Sequence, residues 1–291
     1  MSDLLSLSRP LPGLPKIGQL RSHLRGINPG LLVAGAYLTF LAVATIAPGL
    51  LASADPLATD AHHLFSPPSA NHWFGTDENG RDVWSRVIHA ARPSLLLGGA
   101  AALATAATGA LLGLAAGLSP RLLGNVLMRL TDMLQSFPEI LLVLVIISFW
   151  GANNATLLVA LGLAGVPRVV RQVRAQVVTL QRALFIEAAI TLGLPRWLII
   201  LRHVLPNAIK PVLVLFPLDI GWKITAVATL SFLGLGASPP APDWGAMLAI
   251  DRDYVLNGWW LTAIAAGAIT GTVLSVNALG RALIRRNEGH R

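Results

Sequence analysis

Asp219 and Lys223 stand four residues apart inside a largely apolar stretch, roughly Ile209 to Leu235. On a helix that spacing puts an acid and a base on one face, within reach of each other. Charge in lipid is costly, so such a pair must face the interior of a bundle or water. Two roles fit: lining a translocation path, or acting as a structural ion pair. Asp132 and Glu139, seven apart, fall on one face of a second helix. They read as neutralising nearby arginines rather than contacting a substrate. His62, His63, His72 and His89 are four of the seven histidines and cluster in one segment. They lack the helical i, i+4 spacing that aims two imidazoles at one metal, so they read as solvated loop residues. Nucleophilic and nucleotide chemistry is missing. The chain has no cysteine, no G-x-x-x-x-G-K-[ST] phosphate loop, no G-x-S-x-G elbow and no H-E-x-x-H run. It reads as a non-enzyme that binds no cofactor or metal of its own.

What must position these charges is a membrane bundle. Of 291 residues, 54% are hydrophobic and only 12% charged, about half the charge of a soluble domain. Six stretches are candidates to cross a bilayer. They are Gly30 to Ala52, Pro93 to Leu118, one on each side of "WGANNAT" (Trp150 to Thr156), Ile209 to Leu235, and Gly258 to Leu279. The charge-free run Ile140 to Pro167 is too short for two crossings. The third span therefore extends back past Glu139 and Asp132, and the fourth forward past Arg168, Arg171 and Arg174, where long side chains snorkel. "ASAD" (Ala52 to Asp55) has the look of a signal-peptidase site, but the apolar stretch and the tail before it are too long for a secretory signal. The expectation is an all-α polytopic membrane protein with six transmembrane helices.

Orientation comes from Lys and Arg. With the N-terminus inside, seventeen of them face the cytoplasm, among them Arg9, Lys16, Arg21 and Arg25, against Arg81, Arg86, Arg92 and Arg252 outside. That asymmetry puts both termini in the cytoplasm. Residues 1–28 are then a cytoplasmic tail, and 29–92 the first span with an extracytoplasmic loop and an amphipathic helix. Residues 93–285 are a five-helix core with an inner loop over 175–207, and 286–291 a second cytoplasmic tail. The net charge of +8 is scattered between apolar runs with no basic-aromatic module, which excludes nucleic acid and leaves lipid as the medium.

Two segments outside the lipid carry pattern. In "DVWSRVIHAAR", Val83, Trp84, Val87, Ile88 and Ala91 share a helical face opposite Asp82, Ser85, Arg86, His89 and Arg92, which predicts an interfacial helix leading into the second span. In the inner loop, "FIEAAITLGLPRWLIILRHVLPN" (Phe185 to Asn207) places Leu184, Phe185, Ala188, Ala189 and Leu192 on one apolar face. Gly193 suits the left-handed residue after a helix end, and Pro195 the first turn of the next helix. That second helix is expected to stop before Leu205 and Pro206. The product is a helix–glycine–helix elbow whose apolar face either rests on its own bundle and the headgroups or docks a partner. Within the second span, Gly109, Gly113 and Gly117 repeat every four residues, a packing seam.

Glu187, Ala188 and Ala189, then Gly193, then Leu205 and Pro206, resemble the EAA loop of bacterial ATP-binding-cassette importer permeases. His203 stands where the family pattern has isoleucine. "RHVLPN" (Arg202 to Asn207) is similar to the branch importing dipeptides, oligopeptides and nickel. Gly75-Thr76-Asp77 and Gly80-Arg81-Asp82, within Phe74 to Gly98, look like the signature ahead of the second span in one of that branch's two permease types. "MRLTDMLQSFP" (Met128 to Pro138), "LSFLGLG" (Leu230 to Gly236) and "PPAPDWGAML" (Pro239 to Leu248) extend the resemblance over about Asn28 to Arg285. It implies a type I importer fold in the bacterial inner membrane, a homologous second permease, two ATPase subunits that bind ATP and Mg, and an extracytoplasmic substrate-binding protein. It implies the segment Leu184 to Pro206 as the coupling loop on the ATPases, and peptides as cargo, with nickel, a metal chelate or glutathione as alternatives. An ATP-independent channel or secondary carrier is the rival class and would need no docking loop.

Overall fold

A computed structural model describes residues 29–236 and 240–288. The tail 1–28 with its four basic residues, Pro239, and the end of the 286–291 tail lie outside the described residues. The helices are α1 Pro29–Ile46, α2 Val83–Leu118, α3 Arg121–Gln135, α4 Glu139–Trp150, α5 Asn154–Ala164 and α6 Val166–Leu180. They continue with α7 Leu184–Thr191, α8 Arg196–Ile199, α9 Leu205–Phe232, α10 Trp244–Asp251 and α11 Trp259–Glu288. Among the described residues the only extended pairing is one isolated bridge, Thr76 to Asp82. Five helical stretches are long and apolar enough to cross a membrane: 29–46, 83–118, 154–180, 196–232 and 259–285. With α3 and α4 taken together as a bent sixth, the all-α, six-span architecture stands.

Several boundaries differ from the sequence expectation, each for a local reason. α1 ends at Ile46 because Pro48 drives Ala47 out of the helical region (φ −137°, ψ 66°). α2 has 36 residues, about 54 Å of helix against about 30 Å of hydrocarbon. Its first three turns are the segment expected to lie separately on the interface; they are one rod with the second span, capped by Asp82, which accepts the Ser85 amide at 2.8 Å. Their polar face is covered in its first turn, where Ser85 and Arg86 are buried, and opens toward Arg92, which is exposed.

The third span is not one helix. α3 and α4 meet at 87°. Pro138 has no amide to continue the hydrogen-bond ladder and disfavours helix at Phe137. α4, at 12 residues, reaches only about 18 Å. Asp132 and Glu139 consequently leave their common face and sit on two different helices.

Packing rests on small residues. A Cβ added to Gly109, Gly113 or Gly117 would fall 2.5–2.7 Å from the Cβ of Val169, Val173 or Val177 respectively. The period of four recurs on both helices, so α2 and α6 run alongside each other in the same direction with backbones close. On another side of α2, Gly98 lies against Ile224 of α9, and α9 in turn packs on α11 through Gly221 and Gly280. α1 is tied to α11 by the Tyr37 hydroxyl, which donates to the Ala268 carbonyl at 3.2 Å. Three apolar clusters stack along the bundle: one around Ile88, Trp244 and Leu261 near the long loop, one around Leu157, Leu161 and Leu230, and one where α6 and α9 meet the elbow.

Candidate functional site

The elbow forms as a glycine-terminated helix followed by a turn. The Leu194 amide donates to the Ala189 carbonyl at 3.2 Å and the Gly193 amide to Ile190 at 2.9 Å, the paired bonds of a helix end with a left-handed residue. Gly193 has φ +78°, and a Cβ added there would meet nothing within 4 Å, so backbone conformation rather than space demands glycine. The expected stop before Pro206 does not occur. α8 passes through a π turn, Ile200–Val204, straight into α9, and the Leu205 amide reaches back five residues to Ile200. This wider turn accommodates Pro206 at the second residue of α9, where a regular turn would set its ring against the Arg202 carbonyl.

The elbow is two-faced. Ile186, Ala189, Ile199 and Val204 are buried with Val173, Val177, Ala208 and Val212 of the bundle. Leu184 (82% exposed), Leu192 (80%) and Trp197 (62%) face outward with Phe185 and Leu201. Ala188 and Glu187 are also exposed. Of the five residues expected on the free face, Ala189 alone is turned inward. The His203 ring, in the isoleucine position, lies 6.4 Å from that of Phe185 and bridges the two arms.

Asp219 and Lys223 do not pair with each other. Each reaches a different neighbouring helix. Lys223, fully buried, donates to Glu139 at 2.5 Å and to the Leu161 carbonyl at 2.7 Å. Gly165 leaves its ammonium room: a Cβ there would lie 2.7 Å from Nζ. Asp219 accepts from Arg168, and Asp132 from Arg171 at 2.6 Å. Two ion pairs therefore tie α3 to α6 and α4 to α9, a third joins α6 to α9, and Glu139, expected to neutralise arginines, instead neutralises a lysine. Arg168 was legible only as a charge near a span's end.

At the opposite end the six signature residues build one turn. Gly75 (φ +72°) and Gly80 (φ +74°) approach the Ser66 and Asp60 carbonyls so closely that a Cβ would fall at 2.3 and 1.8 Å. Asp77 accepts the Asn79 and Arg81 amides, both at 2.9 Å, and holds the Arg81 guanidinium at 2.7 Å and that of Arg86 at 3.3 Å. The buried Thr76 hydroxyl accepts the Ser66 amide and donates to the His63 carbonyl. Asp82 caps α2 and holds His72 at 3.0 Å. Beside this turn lies Asp251, which the sequence did not single out: it is buried, its Oδ2 has no hydrogen-bond partner, and burial, then the Glu78 and Asp77 charges, push its carboxyl up to about 7. The histidines have separate partners, His63 on Asp60 and His89 on the Ser85 carbonyl. Among the described residues no three ligating side chains converge on a metal position.

Residues 109–289 match the family described as binding-protein-dependent transport system inner membrane component. The chain is 36% identical to the di/tripeptide transport system permease protein of Pseudomonas aeruginosa (strain UCBPP-PA14), across 96% of this chain and 92% of that one. It is 37% identical to the dipeptide transport system permease protein of Alkalihalophilus pseudofirmus, across 84% and 80%. With the glutathione transport system permease protein of Pectobacterium atrosepticum it shares 36% identity across 91% and 86%.

Proposed function

The chain belongs to the family of binding-protein-dependent transport system inner membrane components, and from that premise we propose that it is one of two permease subunits of an ATP-driven importer of small peptides. The relatives named for dipeptides and tripeptides support this cargo, and glutathione, itself a tripeptide, is of the same chemical class. The partners are a homologous permease, two ATPase subunits and an extracytoplasmic binding protein. ATP and Mg belong to the ATPases, because this chain has no phosphate loop.

One observation carries the mechanism: the elbow is pinned on one side and bare on the other. Its underside shares an apolar cluster with α6 and α9, while Leu184, Leu192 and Trp197 are left for a partner. A closing ATPase pair pushes on the bare face, and the cluster carries the displacement into the spans, switching the path between its two openings. Both termini and the elbow lie in the cytoplasm, and the 47–82 loop lies outside.

Reconstitution tests this. Dipeptide uptake into liposomes is expected only with the ATPases and the binding protein present. Ala188→Arg puts a charge on the exposed face and Gly193→Val strains the left-handed turn; both are expected to leave ATP hydrolysis running with uptake lost. Uptake by the permeases alone, or wild-type coupling in both variants, overturns the proposal.

A further inference from the structure

We propose that Arg168 and Asp219 form a transit site for the charged ends of a peptide, the guanidinium taking its terminal carboxylate and the aspartate its terminal ammonium. This rests on the peptide-importer function argued above. Between α6 and α9 lies a cavity of about 190 Å³ lined by Arg168, Gln172 and Asp219 together with Val212, Leu215 and Phe216. Arg168 is fourteen residues from the start of α5, and Asp219 fourteen from the start of α9. At 1.5 Å per residue each is about 21 Å from that start, and both lie inside stretches long and apolar enough to cross a membrane.

Exposure separates this pair from its neighbour. The Lys223 side chain is 0% exposed and saturated by a carboxylate and a carbonyl, so that pair is structural. The Arg168 side chain is 53% exposed and its guanidinium makes one of its five possible hydrogen bonds. A half-open guanidinium within a membrane-spanning stretch is costly against acyl chains and is met by water or a polar visitor. A zwitterionic peptide supplies both signs at once. Each charge exchanges one partner for another, and neither is left bare in a low dielectric. The apolar remainder of the cavity, with no further polar anchor beyond Gln172, tolerates varied side chains. Val212 and Val169 line this cavity and also belong to the cluster under the elbow, so the site lies on the route by which the elbow acts.

The absence of cysteine from the chain makes a clean test. In the complete assembly of both permeases, ATPases and binding protein, Gln172→Cys is exposed to a water-soluble thiol reagent during ATP turnover, with alanyl-phenylalanine as the probe. Labelling is expected, slowed by the dipeptide, and the protection is expected to be lost with Arg168→Gln or Asp219→Asn. Binding of the dipeptide to the binding protein is unchanged in those variants. Asp219→Asn is nearly isosteric and serves if Arg168→Gln does not assemble, as judged by co-purification with the ATPases. No labelling in the assembly, labelling that the dipeptide does not slow, or protection that survives the substitution each overturns the transit site. Failure of the unsubstituted assembly to import any di- or tripeptide overturns the peptide function itself, and the site with it.

Discussion

Asp251 is a carboxyl group walled in by Asp77, Glu78, Arg81 and Arg86. With all five ionised the cluster carries one uncompensated negative charge, and a proton on Asp251 removes it. The free carboxyl of an unfolded chain ionises near pH 4; in the folded protein it does so at about 7. Between those values the folded state holds a proton that the unfolded state has released, so stability falls as pH rises, by up to about 1.4 kcal/mol per unit. The penalty is absent below the lower value and complete above the upper. The thermal midpoint of the detergent-solubilised protein is therefore expected to drop between about pH 5 and about pH 8, with Asp251→Asn raising the midpoint at the higher pH and flattening the slope. A variant that tracks the wild type at both ends removes the account. Nothing about an isolated aspartate at a helix end marks it in the sequence; its environment is assembled from three separate segments. The same limit explains why Asp219 and Lys223 looked like partners. Periodicity reports what one helix can do for itself, while the stronger partners came from α4 and α6.

Between elements, those cross-helix bonds and the glycine seam do the holding. Removing Lys223 alone strands Glu139, and breaking a buried pair costs about 3 kcal/mol. Lys223→Met is expected to destabilise by about that much, and Lys223→Met with Glu139→Leu to recover most of it. Equal losses in the single and double variants deny the pair its role. The seam gives a sharper contrast. Gly109→Ala drives a methyl to 2.5 Å from Val169, whereas Gly99→Ala on the same helix meets nothing within 4 Å. The first is expected to cost about 1–3 kcal/mol of stability and the second to be neutral or stabilising by up to about 1 kcal/mol; similar thermal midpoints for both would mean the two helices are not in close contact. This spacing of four was legible in the sequence because one helix face repeats it. The elbow was legible for the same reason, down to Gly193. The bend between α3 and α4 was legible only as a proline, because its angle is set by what each half packs against. Ala189 was misplaced because an eight-residue helix of mostly apolar residues has two candidate faces, and only the bundle decides which is covered.

At the scale of the molecule the two ends are built on opposite principles. The loop end is knotted by ion pairs and capped by a tight turn, with most of its buried charges paired and Asp251 the exception. The elbow end carries many basic residues, yet the outer face of the elbow displays large apolar side chains. Water alone does not stabilise such a face, and lipid would not require the glycine-hinged geometry, so a protein partner on that side is the economical explanation. Arginine and lysine placement supports the orientation proposed above, because the elbow side holds most of the basic residues. A membrane-impermeant thiol reagent reads both statements at once, because the chain contributes no cysteine of its own. Leu57→Cys in the long loop and Leu184→Cys on the elbow both replace exposed leucines. In spheroplasts the reagent is expected to reach the first and not the second, and in inside-out vesicles the second and not the first. Stripping the ATPases from inside-out vesicles is expected to speed labelling at Leu184→Cys, and adding them back to slow it again. Reversed sidedness would turn the elbow away from ATP altogether, and labelling indifferent to the ATPases would leave its apolar face without the partner that makes sense of it.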